Sequence, residues 1–260
     1  MSHMFRLLET GFNPAVFNMG LDEALLRSVA QGESHPTLRF YGWKPPAVSI
    51  GYFQGLHEEI DTDACAAQGV DIVRRITGGG AVFHHYEVTY SIVVPLAHPL
   101  ARENILDSYR LFLGGIIKGL ATLGIPSEFS PINDISTGGK KISGNAQTRK
   151  LGCILQHGTI LLDVEVDQMF SLLKVPLEKA RGKLIADIKS RVTSVKHCLP
   201  SAGSEPFESL FSTTVGALEK GFAKSLDLDL QRSEPTLKEL EIAAELAAGK
   251  FASAAWTALR

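Results

Sequence analysis

Two arginines and three consecutive glycines stand together in Arg74-Arg75-Ile76-Thr77-Gly78-Gly79-Gly80-Ala81-Val82-Phe83-His84. Glycine has no Cβ, so a glycine-rich loop can bring backbone N–H groups close to an anion. Arginine adds charge-assisted hydrogen bonds to carboxylate or phosphate. The stretch is not a P-loop, because GK[ST] is missing, and no helix clearly follows it as a dinucleotide fingerprint requires. Taken alone it reads more simply as a glycine-rich hairpin with solvated arginines. A second group lies downstream: Asn133-Asp134, then Lys140-Lys141-Ile142-Ser143-Gly144-Asn145-Ala146, then Gln156-His157-Gly158-Thr159. Adjacent lysines on a strand face opposite ways, so one of the pair can enter a pocket. Ile142 reads as core, which puts Lys141 and Ser143 together on the opposite, pocket-lining face. Asp134 is either a Mg²⁺ ligand or a turn residue, and His157 is either a site residue or a packed strand histidine.

These residues need elements to hold them. Asn18 can cap a helix running to Gln31, with Leu21, Ala24, Leu25 and Val29 on one face. Strands are expected at Thr37 to Tyr41, Ala47 to Tyr52, Val70 to Arg75 and Thr89 to Val94, with a short helix at Asp61 to Gln68. Ile105, Tyr109, Phe112, Ile116, Leu120 and Leu123 recur at helical spacing before Gly124 and Pro126. Lys140 to Ala146 and Cys153 to Leu162 read as paired strands. Helices follow at Gln168 to Lys174, Glu178 to Ile188, from Ser204-Glu205-Pro206 with Phe207 to Phe222 inward, and from Ser233-Glu234-Pro235 to Ala248. Grouped strands flanked by helices indicate an α+β fold with a mixed sheet. A single domain is expected over residues 5–260, with Met1 to Met4 reading as a tag remnant.

The 260 residues carry a net charge of −2, which argues against a dedicated nucleic-acid binder. No run is apolar enough to span a membrane. Three scattered cysteines, Cys65, Cys153 and Cys198, argue against a disulfide framework and for a reducing, cytoplasmic setting.

The ordered motifs RRITGGGAVFHH, INDI, GKKISGNAQ and QHGTILLD resemble the lipoate–protein ligase A and octanoyl/lipoyl-transferase superfamily. Leu38-Arg39-Phe40-Tyr41, Ser49 to Gln54 and Ser190 to Val195 extend the resemblance from about Phe5 to Val195. It implies a biotin/lipoate protein ligase-like catalytic domain. On this resemblance Lys141 contacts the acyl-adenylate. Arg74, Thr77, Gly78, Gly79, Gly80, Val82, Phe83, His84, Asn133, Ser143, Gly144, Ala146, His157 and Gly158 border the ATP and lipoyl-AMP. Gly51 and Gln54 flank the lipoyl tail, and Asp134 holds Mg²⁺. The implied reaction is ATP-dependent formation of lipoyl-AMP from lipoate, then transfer to a lysine of a lipoyl acceptor such as an E2 subunit or a glycine-cleavage H protein. The chain's length resembles the large subunit of bipartite ligases, which implies a small accessory subunit.

One stretch departs from the superfamily's other branch. His84 to Ser91 and Gly144 to Gln147 resemble the cysteine-dependent octanoyl/lipoyl transferases, which form an acyl thioester on a cysteine just upstream of the family lysine. Here that stretch reads Phe129-Ser130-Pro131-Ile132-Asn133-Asp134-Ile135, without cysteine. The ligase is therefore the expected activity, with such a transferase as the alternative. A non-catalytic lipoyl-carrier-binding module is the remaining reading, against which Lys141 and Asp134 speak.

Overall fold

A computed structural model describes residues 2–102, 104–174, 181–199 and 205–260, the side chains of 181–184 excepted. The chain begins with β1 (His3–Asn13), α1 (Ala15–Ala30), β2 (Thr37–Trp43) and β3 (Ala47–Ile50). Two short helices, α2 (Leu56–Glu59) and α3 (Thr62–Ala67), precede β4 (Asp71–Arg74), β5 (Val82–His84), β6 (Glu87–Pro95) and α4 (Ile105–Thr122). Then come β7 (Glu128–Ser130), β8 (Asp134–Thr137), β9 (Lys140–Lys150), β10 (Cys153–Leu161), α5 (Val166–Leu172), α6 (Arg181–Arg191) and α7 (Val195–Cys198). Last are α8 (Phe207–Leu226), β11 (Leu228–Arg232), α9 (Leu237–Leu246), one wide helical turn over Ala247–Phe251, and α10 (Ala254–Thr257).

Eight strands form a mixed sheet in the order β11-β1-β2-β6-β10-β9-β8-β7, and β4-β3-β5 form a smaller one. Only the β11-β1, β1-β2 and β3-β4 pairs are parallel. The α+β expectation therefore holds, with helices on both faces of the large sheet. On one face α4 and α8 bury Phe112, Ile116, Leu218 and Phe222 against Phe40, Tyr90 and Ile92. Glycines let these two helices meet closely: a Cβ at Gly221 would lie 2.3 Å from the carbonyl oxygen of Gly115. On the other face α1 and α9 cover Tyr41, Trp43, Val93 and Leu155.

Several elements differ from the sequence reading. Asn18 does not cap α1. It lies inside the helix, fully buried, and donates to the carbonyls of Asn13 and Gly42. His3 and Met4 belong to β1, where they pair with Leu228 and Asp229. The short strands β5, β7, β8 and β11 lack long alternating runs, so periodicity did not reveal them. The helix expected from Ser233 is α9, which starts at Leu237 because Thr236 and Glu239 form a capping box. The expected helix starts at Glu178 and Ser204 lie outside the described residues. No helix among the described residues is long and apolar enough to cross a membrane.

Candidate active site

The large sheet and the small sheet enclose a cavity of about 390 Å³ between β10, β9 and the glycine loop. Met19, Tyr41 and Trp43 line its apolar side. Of the residues singled out in the sequence, Gly79, Gly80, Val82, His84, Asn133, Asp134, Lys141, Gly144, Ala146, His157 and Gly158 line it. Residues from separate motifs thus converge on one space, whereas Arg74, Thr77, Gly78, Phe83, Ser143, Gly51 and Gln54 do not line it.

The two arginines divide. Arg74 turns away from the cavity and donates to the carbonyls of Gly51, Gln54, Trp256 and Thr257, pinning the C-terminal turn. Arg75 lines the cavity instead and donates to the carbonyls of Ser49, Gly78 and Gly80. Burial brings the Arg75 guanidinium down to about 10, against a small opposing effect of Tyr41. Gly51 and Gln54 are not in the cavity lining; the Gly51 N–H donates to the Gln54 side chain at 2.9 Å. Gly51 serves by its size, since a Cβ there would sit 2.0 Å from the Gly79 carbonyl oxygen. Thr77 lies behind the cavity wall, 2.8 Å from His157 Nε2, and Phe83 lines a second cavity described below.

Lys141 reaches the cavity as its alternation implied, but Ser143 does not accompany it. The β8–β9 pairing slips between Ile135 and Ser136, so that Ile142 has no partner of its own. This bulge breaks the two-residue alternation. Ser143 is therefore buried, its hydroxyl accepting from Asn145 at 3.2 Å. Lys141 Nζ lies 2.9 Å from Asp134 Oδ1, with the two side chains 44% and 30% exposed. Gly144 makes room for it: a Cβ would approach Nζ to 2.8 Å. Asn145 donates to the Asn133 carbonyl at 2.8 Å, and the Asn133 amide donates back to the Asn145 carbonyl. This reciprocal pair ties the β7–β8 turn to β9 and so sets Asp134 beside Lys141.

Beneath the cavity lies a buried polar network that the sequence reading did not assemble. Arg39 on β2 donates to Asp22 on α1 at 2.8 Å, and Tyr41 and Ser91 also donate to Asp22. Burial pushes the Asp22 carboxyl up, but His157 and Arg39 outweigh it and hold it below the usual value. Burial lowers the His157 imidazole despite Asp22 beside it, so the ring is neutral. Its Nδ1 then donates to Asp22 at 3.1 Å, and Nε2 accepts from Thr77. His84 stacks on Trp43 at 3.9 Å, with Nδ1 2.6 Å from Glu87 Oε1 and Nε2 2.5 Å from Ser49 Oγ. An ionisable residue on the apolar face of a helix (Asp22) and one in an interior strand (Arg39) were the available sequence signals, since such groups are rarely buried unpaired.

None of the three cysteines lines the cavity. Cys65 belongs to the core under the small sheet, where burial lifts its thiol to about 11. Cys153 is packed against the α1 face, and burial raises its thiol too. Cys198 ends α7 near Thr193. A thiolate is the reactive form, and these surroundings disfavour it at the two buried positions.

Fold and site together are those of a catalytic domain with one cavity between its two sheets. Residues 14–215 match the lipoyl protein ligase A/B catalytic domain, and the chain belongs to that family. It is an enzyme of the lipoate and octanoate ligase–transferase superfamily. Two curated relatives, octanoyltransferases LipM of Geobacillus kaustophilus and Symbiobacterium thermophilum, are each 37% identical. The first match covers 97% of both chains and the second 98% of both. Among solved structures, a bipartite lipoate protein ligase of Thermoplasma acidophilum, described with its E2 lipoyl domain, superposes with TM-score 0.86 at 31% identity. That match covers 100% of this chain and 98% of that one.

The relatives overturn the expected activity. These curated relatives are named octanoyltransferases, not ATP-dependent ligases, so the lipoyl-AMP route is withdrawn. A transferase moves an acyl group that is already activated, and ATP and Mg²⁺ leave the reaction with the adenylate. Asp134, expected to hold Mg²⁺, is paired with Lys141.

Proposed function

We propose that the chain moves an octanoyl group from a thioester donor onto the lysine of a lipoyl domain. The observation that carries this reading is the cavity itself. Its apolar side, formed by Met19, Tyr41 and Trp43, suits an acyl chain, and Lys141 stands at its rim with Asp134. In this reading the acyl tail lies against those three side chains and the thioester carbonyl faces Lys141. Attack on the carbonyl puts negative charge on its oxygen, and a fixed ammonium stabilises that charge more than it stabilises the neutral thioester.

The cysteine dependence expected of a transferase finds no residue here, because all three thiols lie outside the cavity. Transfer then runs directly: donor and acceptor are bound together, and the lysine nitrogen displaces the thiol. A lipoyl domain as acceptor agrees with the E2 lipoyl domain described with the archaeal structural neighbour. A small accessory subunit, expected from the resemblance to bipartite ligases, has its parallel in the archaeal structural neighbour, which is described as a bipartite ligase.

The test is incubation of octanoyl-acyl carrier protein with the lipoyl domain of an E2 subunit and the enzyme, without ATP. A mass gain of one octanoyl group on the lipoyl domain is expected. An absolute requirement for ATP, or no modification from the thioester, refutes the reading.

A further inference from the structure

A second cavity of about 490 Å³ adjoins the first and shares Ala81, Val82, Lys141, Gly144 and Thr159 with it. Its walls are mainly apolar, with Phe83, Leu161, Val166 and Met169 among them. Three carboxylates also line it, Glu87, Asp163 and Glu165, and of these Glu87 is only 1% exposed. Glu87 Oε1 is well occupied, accepting from the Thr89 hydroxyl at 2.6 Å and lying 2.6 Å from His84 Nδ1. Glu87 Oε2 is buried and finds no hydrogen-bond partner among the described residues. His84 and Thr89 line the first cavity, so Glu87 sits in the wall between the two spaces.

We propose that the second cavity admits the acceptor lysine and that Glu87 Oε2 receives its ammonium and then its proton. This rests on the acyl-transfer reading above. An orphaned buried carboxylate oxygen is costly until a donor reaches it. A lysine side chain brings that donor on an apolar stem of the kind these walls accept. At the mouth stand Asp163 and Glu165, which suit a cation better than a phosphate-bearing arm of the donor, although each already has a partner, Lys196 and His85.

The ammonium gives one proton to Glu87, and the freed lone pair forms the C–N bond to the thioester carbon. The C–S bond breaks, the second nitrogen proton leaves with the thiol, and Glu87 releases its proton to solvent. Glu87 is thus a catalytic residue that touches the nucleophile, whereas His84 and Thr89 position it.

A double-mutant cycle tests this. Dissociation constants are measured for the wild type and Glu87→Gln, each with an E2 lipoyl domain carrying its acceptor lysine or methionine in its place. The wild type is expected to bind the lysine form about tenfold or more tightly, as close charge pairs across interfaces do. Glu87→Gln should bind both forms alike, with the wild type's affinity for the methionine form, which also shows that the variant is folded. Should the variant not fold, a wild type that binds both forms alike still overturns the proposal. A wild type that transfers octanoyl yet does not distinguish lysine from methionine overturns the role of Glu87 only, as does a Glu87→Gln enzyme that keeps the preference. A wild type that neither distinguishes them nor transfers octanoyl overturns the acyl-transfer reading as well.

Discussion

Replacing Lys141 with alanine separates catalysis from folding more cleanly than any other change at the site. The lysine pairs with Asp134 at 2.9 Å, but with side chains 44% and 30% exposed the pair is screened by solvent. Such pairs contribute roughly 0–1 kcal/mol to stability, and for a domain of this size that corresponds to a melting shift of no more than about 4 °C. If the ammonium stabilises the carbonyl oxygen during attack, its loss costs about 2.7–4 kcal/mol of transition-state stabilisation. That is a fall in kcat of about a hundredfold to a thousandfold. The assay is the rate of octanoyl transfer from octanoyl-acyl carrier protein to an E2 lipoyl domain, read by mass, alongside thermal unfolding. Lys140→Ala is the control: Lys140 does not line the cavity, and its removal should leave kcat within about twofold. An active Lys141→Ala enzyme with a normal melting temperature would refute the electrostatic role. A dead Lys140→Ala with an active Lys141→Ala would refute the assignment of strand faces.

A Cys65→Ala, Cys153→Ala, Cys198→Ser triple variant should keep kcat within about threefold, whereas removing a true covalent nucleophile costs several orders of magnitude; near-total loss in a folded protein would restore a thiol route. His157 has its imidazole lowered by burial, so the unfolded chain takes up a proton there before the native state does. Stability should therefore decline as pH falls from about 6.5 toward the lowered native value. His157→Asn should flatten that decline, as measured by urea midpoints across pH, and an unchanged slope would contradict the neutral assignment. At Gly158 a Cβ would lie 1.9 Å from Asn145 Oδ1, so Gly158→Ala should destabilise by about 1–3 kcal/mol through overpacking. It should also lower activity by displacing the Asn133–Asn145 link, and full activity at an unchanged melting temperature would argue against that link.

Much of the architecture was legible because its signals are local. The run from Ile105 to Leu123 has the period of a helix buried on one side, and it forms α4. Cys153 to Leu162 has the character of an interior strand and forms β10. The motifs around Gly78, Lys141 and His157 stood out in the sequence, and residues from each meet at one cavity. Short strands such as β7 and β11 were not legible, since three to five residues carry too little periodicity and their pairing is decided by distant partners.

The sequence by itself determined the superfamily, the α+β class and the segments that carry the site, because ordered motifs and hydrophobic periods survive without coordinates. Because the stretch just upstream of Lys141 lacks a cysteine, the sequence pointed to the ATP-dependent ligase, which the octanoyltransferase relatives overturn. Tertiary structure alone decided which arginine faces the cavity, since Arg74 and Arg75 are equivalent until the C-terminal turn claims one of them. It also decided that a bulge withdraws Ser143 from Lys141, that Asp22, Arg39 and His157 join beneath the site, and that every thiol lies outside it. The physical reason is the same in each case: burial and hydrogen-bond partners are set by contacts far apart in the chain, and a one-residue shift in pairing reverses which side chains face the cavity.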